Sequence, residues 1–367
     1  YIGRKDEKSA CKAATQLVWF VSLSAVAIMI LVYFGKDIIL NQVFGHITAE
    51  VKGHADIYLL IVTASIPFIA LYNGGAAIFR AMGNSQVSMR VSLLMNAINV
   101  TGNAILVFGL RIGTAGVAIP TLISRMVAAI VITVLLCNQT RILHIERTLK
   151  IRFDGRMIRK ILAIGVPNGL ENSMFQLGKI LVLSLVSTFG TYAIAANAVS
   201  NAIALFQILP GMAISLAITT VISQCVGAND YEQVRYYLKK LLAIIYVAMV
   251  GTVALIFLAL PLILKAYNLS DQTAVAATNI IHFHGISAMI IWPLPAAYRA
   301  AGDAKACMYT SIVSMWIFRI GFSYLVGKYM GLGVFGVWVA MVIDWVVRAI
   351  CFIIRYFNGK WKHGAIV

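Results

Sequence analysis

Charge is what this chain has least of. Asp, Glu, Lys and Arg make up 12% of its 367 residues, about half the share of an ordinary globular domain. So few charges cannot coat a soluble enzyme of this length, and the composition equally excludes a disordered tail. Five cysteines (Cys11, Cys137, Cys225, Cys307, Cys351) lack disulfide or metal-ligand spacing, which excludes a secreted disulfide scaffold and reads as reduced thiols. Enzyme motifs are missing too: there is no G-x-x-x-x-G-K-[ST] phosphate loop, no H-E-x-x-H and no G-x-S-x-G. Without a nucleotide-binding loop, energy for any transport must come from an ion gradient, and neither an enzyme nor a cofactor is expected.

Apolar residues are abundant instead, at 61% with a mean hydropathy of +0.88. A bilayer span needs roughly 20 consecutive apolar residues. Ten such runs occur, near 13–34, 56–79, 91–109, 115–137, 161–189, 192–222, 241–264, 278–298, 307–327 and 333–356. The 192–222 run exceeds the hydrocarbon thickness and is expected to tilt, or to kink near Pro210-Gly211. The fold class is therefore an all-α polytopic membrane protein. If successive loops alternate sides, 22 of the 30 Lys and Arg fall on one side, 5 on the other, and Arg125, Lys179 and Arg319 lie inside spans. The net charge of +17 then reports orientation, with basic loops and C-terminus cytoplasmic, rather than a nucleic-acid partner.

The chain repeats itself. Phe79-Arg80-Ala81-Met82-Gly83-Asn84 matches Tyr298-Arg299-Ala300-Ala301-Gly302-Asp303 at an offset of 219, and Gly113-x-x-Gly116-Val117 matches Gly333-x-x-Gly336-Val337 at 220. Gly3-Arg4-Lys5-Asp6 aligns with Gly227-Ala228-Asn229-Asp230 at 224. One structural unit used twice is a transporter design. The second half carries two runs, from Ile161 to Gln224, with no counterpart in the first, so ten helices of an expected twelve are present. The expected division is an N-terminal bundle over 1–137, a basic cytoplasmic linker over 138–160 and a C-terminal bundle over 161–367.

These stretches resemble the multidrug and toxic compound extrusion (MATE) family of cation-coupled efflux transporters. The resemblance rests on FRAMGNSQVSM, NAINVTGNAILVFG and GTAGVAIPTLISR in the first half, and on GVPNGLENSMFQLGK and YRAAGDAKACM in the second. It implies two pseudo-symmetric six-helix bundles forming a V-shaped cavity, opened alternately to each side. It implies export of small organic, cationic and amphipathic compounds from the cell membrane by a multi-pass monomer, in exchange for H⁺ or Na⁺. Asn99, Asn103 and Thr121 fall where the family places an ion site, with Asn103 replacing an Asp. Phe175 falls where many members carry a functional Glu; Glu171 lies one turn earlier on the same face.

Ionisable groups inside hydrocarbon face a cavity or each other. That makes Glu171, Lys179, Arg319 and Asp344 candidates for ion coupling or the cavity, along with Arg125. Lys179 is the partner expected for Glu171, and either Arg348, four residues on, or Arg319 for Asp344. Asn172, Gln176, Asn197, Asn201 and Gln207 are expected as polar cavity wall. Arg80 and Arg299 are expected to hold helix-end carbonyls or lipid phosphate. His282 and His284, two apart, point to different faces, and Trp19, Trp292, Trp338 and Trp361 are expected as interfacial belt or packing residues. Arg125, Lys179 and Arg319 also leave room for a lipid-linked precursor flippase. An enzyme acting on lipid phosphates would need clustered acids, whereas Glu171 and Asp344 are 173 residues apart.

Overall fold

The computed structural model describes residues 1–38, 40–41, 48–145, 153–288 and 294–364. Among them there is no strand. The helices are α1 (Glu7–Ile38), α2 (Ala49–Ala64), α3 (Ile66–Ala81), α4 (Ser85–Asn103), α5 (Thr114–Leu136), α6 (Gly155–Ser187), α7 (Thr191–Gly227), α8 (Tyr231–Ala266), α9 (Asp271–Ala288), α10 (Leu294–Ala300), α11 (Ala304–Ser314) and α12 (Gly333–Phe357). After α4 the chain widens into a π-helical stretch over Ala104–Gly109; after α11 it does so over Met315–Gly321 and Ser323–Tyr329.

Seven of the described helices are long and apolar enough to cross a bilayer, and eight spans result if α2 and α3, bent by 40° at Ser65, count as one. The two remaining runs of the ten do not qualify. In α6 the apolar run at 161–189 is broken by Asn168, Glu171, Asn172, Gln176 and Lys179. Part of the run at 278–298, including Trp292, lies outside the described residues. α7 stays helical through Pro210-Gly211; at 37 residues it is about 55 Å long, well beyond the hydrocarbon core. Large side chains such as Leu258, Val247 and Leu262 are more than 70% exposed, as expected where lipid tails take the place of water.

Sequence punctuation sets the helix ends. Asp6 accepts from the Ser9 N–H, Asp230 from the Gln233 N–H, and Thr48 from the Val51 N–H, each removing one orphan donor of a first turn. Asp154 accepts from the N–H groups of Arg156 and Met157, so α6 starts at Gly155, six residues before the apolar run that the hydropathy marks. Asp154 also takes the Lys12 ammonium at 2.5 Å. That partner, then the Met157 N–H, holds its carboxyl below the usual carboxylate range.

The chain divides into two compact units, Tyr1–Ile161 and Leu162–Val367, with the boundary inside α6. The first is built on Tyr72, Phe79, Ile132 and Leu136, with α3 packed on α1 and α5. The second has one apolar cluster around Ile218, Ile245, Tyr298 and Trp361, and another around Leu185, Val337 and Met341.

The internal repeat reappears bond for bond. The N–H of Asn84 donates to the Phe79 carbonyl and that of Asp303 to the Tyr298 carbonyl, around Gly83 and Gly302 with φ of +77° and +91°. The N–H of Asp6 donates to Tyr1 O and that of Asp230 to Cys225 O, with Lys5 and Asn229 both left-handed. Gly116 lies against the Leu106 backbone, and Gly336 against that of Val326 and Gly327. A Cβ on Gly336 would stand 2.8 Å from Gly327 Cα and Val326 O, whereas on Gly116 the nearest atoms are at 3.2 Å. Backbone cannot step aside as a side chain can, so Gly336→Ala is expected to cost about 1–3 kcal/mol. Thermal unfolding in detergent should show Gly336→Ala melting below both the parent and Gly116→Ala.

Candidate functional site

Within the second unit a cavity of about 430 Å³ opens between α6, α7, α9, α12 and the π-helical stretch after α11. Helical spacing aims the walls at it. Phe175 and Lys179 are four apart on α6, Asn197 and Asn201 four apart on α7, and Trp338, Met341 and Trp345 recur at i, i+3 and i+7 on α12. His284 comes from α9, and Arg319 from the wide coil, where the extra residue per turn redirects side chains.

The aromatic walls are pinned. Trp338 donates its indole N–H to Asn197 Oδ1 at 3.0 Å, and Asn201 Nδ2 donates to the Asn197 carbonyl. His284 stands edge-on to Trp338 and Trp345, each at 5.3 Å between ring centres. Its Nδ1 donates to Gln207 Oε1, and Gln207 Nε2 donates to the Ile281 carbonyl. His282 lies instead against Phe257, so the two histidines do face different neighbours.

The charges in this cavity are positive. Lys179 Nζ and Arg319 Cζ lie 5.0 and 4.9 Å from the centre of the Phe175 ring. Arg319 also donates to the Met341 sulfur at 3.2 Å, while its Nη1 is buried without a hydrogen-bond partner among the described residues.

Glu171 does not pair with Lys179 as the spacing along α6 suggests; its partner is Arg299 at 2.9 Å. Arg299 reaches over from α10, while Lys179, two turns further along α6, turns to the Phe175 ring. Arg299 is thereby a carboxylate partner rather than a ligand of helix-end carbonyls or lipid. Asp344 is fully buried and takes Arg348 through both oxygens, at 2.8 and 2.7 Å, and the Ser314 hydroxyl at 2.5 Å. Of its two expected partners Arg348 is the one bonded. Asn172 and Gln176 are exposed on α6 and do not line the cavity; Asn172 Nδ2 is turned back to the Asn168 carbonyl.

In the first unit Asn99, Asn103 and Thr121 do meet. Asn103 Nδ2 donates to Asn99 Oδ1 at 3.1 Å, Asn99 Nδ2 to Thr121 Oγ1 at 3.0 Å, and Thr121 Oγ1 to the Val117 carbonyl. Gly102 seated on Pro120 allows that approach of α4 and α5. Asn103 Oδ1 is buried without a partner among the described residues. Arg125 donates to Ser65 Oγ at 2.6 Å, at the bend between α2 and α3.

The sequence did not single out Trp345, and Gln207, expected in the polar cavity wall, is instead buried behind it against His284 and the Ile281 carbonyl. For Trp345 the i, i+3, i+7 pattern on α12 was the signal available. Of the belt and packing alternatives, Trp361, 2% exposed, takes packing, among Tyr231, Tyr298 and Tyr356, while Trp338 walls the cavity.

The comparisons with known proteins agree with this architecture. The chain is 27% identical over 373 residues to the uncharacterized transporter YisQ of Bacillus subtilis (strain 168), covering 98% of this chain and 80% of that protein. It is 23% identical over 369 residues to the probable multidrug resistance protein NorM of Thermotoga maritima, covering 97% and 78%. Among solved structures, an outward-facing multidrug resistance MATE family transporter of the MOP superfamily superposes with a TM-score of 0.90 at 22% identity, over 99% of this chain and 82% of that one. A MOP superfamily transporter from Pyrococcus furiosus, described by the reverse polarity of its binding pocket, gives 0.88 at 21%, over 98% and 81%. The MatE family model matches residues 1–105 and 167–325, more than half of the sequence, and the chain belongs to the MATE family of membrane transporters.

Proposed function

We propose that the protein is a secondary active exporter of small amphipathic organic compounds, driven by inward movement of H⁺ or Na⁺ through alternating access. The observation that carries this reading is the aromatic cavity walled by Phe175, Trp338 and Trp345 inside a chain of the MATE family. A site of this size fits a drug-sized molecule. The relatives named as multidrug resistance proteins favour efflux over the flippase reading, which is left with the cations Lys179 and Arg319, since Arg125 is engaged by Ser65. The expectation of a cationic substrate finds no carboxylate among the cavity-lining residues.

Two places suit the coupling ion. Asn99, Asn103 and Thr121 present neutral oxygens, one of them the unpartnered Asn103 Oδ1, and neutral oxygens suit Na⁺. Glu171 with Arg299 suits H⁺, because protonation of the carboxylate removes the ion pair. The protein works as a multi-pass monomer of the cell membrane, with basic loops and C-terminus cytoplasmic, and without a cofactor.

The test is dye efflux from pump-deficient cells expressing the protein, under imposed pH and Na⁺ gradients. Faster efflux with one of the two gradients is expected. No response to either would overturn coupled export.

A further inference from the structure

Lys179 and Arg319 face one cavity, and nothing among the described residues neutralises them there. The nearby acid, Asp344, already has Arg348 on both carboxylate oxygens and Ser314 on one. Around Arg319 there are thus three cations, Arg319, Arg348 and Lys179, to one carboxylate. His284 adds no negative charge, being an imidazole held by Gln207.

A guanidinium carries five N–H donors and no acceptor. Here one goes to a thioether, a weak acceptor, and Nη1 goes to nothing described. The Phe175 ring, about 5 Å from each cation, supplies a cation–π attraction of about 0.5–2 kcal/mol, less than an ionised oxygen pair would give. The partly buried Arg319 and the exposed Lys179 repel each other across the cavity, and Arg319 Nη1 lacks a partner among the described residues; both deficits shrink when an anion enters. The planar fork of Arg319 matches a carboxylate or phosphate, and Lys179, on the same helix face as Phe175 and exposed, adds a mobile point charge. Beyond the charged end, Trp338 and Trp345 offer apolar ring surface.

We propose that this cavity binds an amphipathic organic anion, its carboxylate or phosphate-type head held by Lys179 and Arg319 and its apolar or aromatic body laid against Trp338 and Trp345. The proposal names the substrate class of the exporter and in that respect rests on the export reading, but the binding itself is measured without transport.

The probe is 4-nitrobenzoate, whose nitroaromatic ring quenches tryptophan emission at contact, titrated into the purified full chain in uncharged detergent. Its counterpart is 4-nitrobenzylammonium, of similar shape and opposite charge. Saturable quenching by the anion and not by the cation is expected, with affinity at least tenfold weaker in Lys179→Gln. Arg319→Lys, which keeps the charge but loses the fork, should weaken binding less than Lys179→Gln combined with Arg319→Lys. Since Arg319 helps fill the interior, Lys179→Gln is the deciding variant; its side chain reaches open space and its loss spares the fold. Equal binding of the two probes, or an unchanged affinity in Lys179→Gln, would overturn the proposal, as would failure of both nitrobenzoate and phosphatidylglycerol to bind. Displacement of nitrobenzoate by phosphatidylglycerol and not by phosphatidylcholine would support the same anion site and assign its occupant to the bilayer. Anion binding that persists where neither gradient drives efflux would sink the export reading and leave this one standing.

Discussion

Asp344→Asn is expected to remove most of the protein from the membrane and to lower its unfolding temperature in detergent, with transport falling in proportion to the amount that remains. Asp344 has no solvent exposure, and its two oxygens accept three hydrogen bonds, two from Arg348 and one from Ser314. Ser314 also donates to the Asp344 backbone carbonyl, so the carboxylate ties α12 to the end of α11. An amide at this place turns an NH₂ toward a guanidinium, leaving Arg348 uncompensated next to Arg319. Breaking a buried ion pair from one side costs about 3–5 kcal/mol, a large share of any domain's stability. Replacing both partners with apolar groups of similar volume removes the orphaned charge as well, so Asp344→Leu with Arg348→Met should recover much of the lost protein. A wild-type amount of Asp344→Asn with transport abolished would instead place Asp344 in ion coupling.

The sequence-based reading succeeds wherever partners lie on one helix or recur by internal repetition. Asp344 with Arg348 and Asn103 with Asn99 are each four apart, and helix geometry alone makes them neighbours. The paired R-A-x-G turns, with their left-handed glycines, follow from local backbone preference and appear at both predicted places. Partners on different helices are another matter. Glu171 meets Arg299, 128 residues away on another helix, and no spacing rule carries that information. Trp338 illustrates the same limit: an indole near a span end suits an interface by composition, but its N–H finds Asn197 across the cavity. The start of α6 was missed for a smaller reason. Hydropathy marks where a run becomes apolar, whereas the helix begins where Asp154 can cap it.

Glu171→Gln is expected to cut gradient-driven export at least tenfold while the protein remains at half or more of its normal amount. The contrast with Asp344 lies in the surroundings. The side chains of Glu171 and Arg299 keep 16% and 28% of their exposure and share a single short contact, so the pair is less enclosed than Asp344 and its loss costs less than the ~3–5 kcal/mol of a fully buried pair. What the substitution removes is the ability to change charge. In the export reading a proton on Glu171 frees Arg299 and loosens α6 from α10, and its departure restores the pair; Gln is locked in the first of these states. Glu171→Asp keeps a titrating carboxylate one methylene shorter and should retain part of the activity, which a purely steric role would not predict. Efflux rates under an imposed pH gradient, normalised to protein in the membrane, decide the matter. Normal rates in Glu171→Gln, or losses of rate and protein that match, would reduce the Glu171–Arg299 pair to a structural strut and move the coupling ion to Asn99, Asn103 and Thr121.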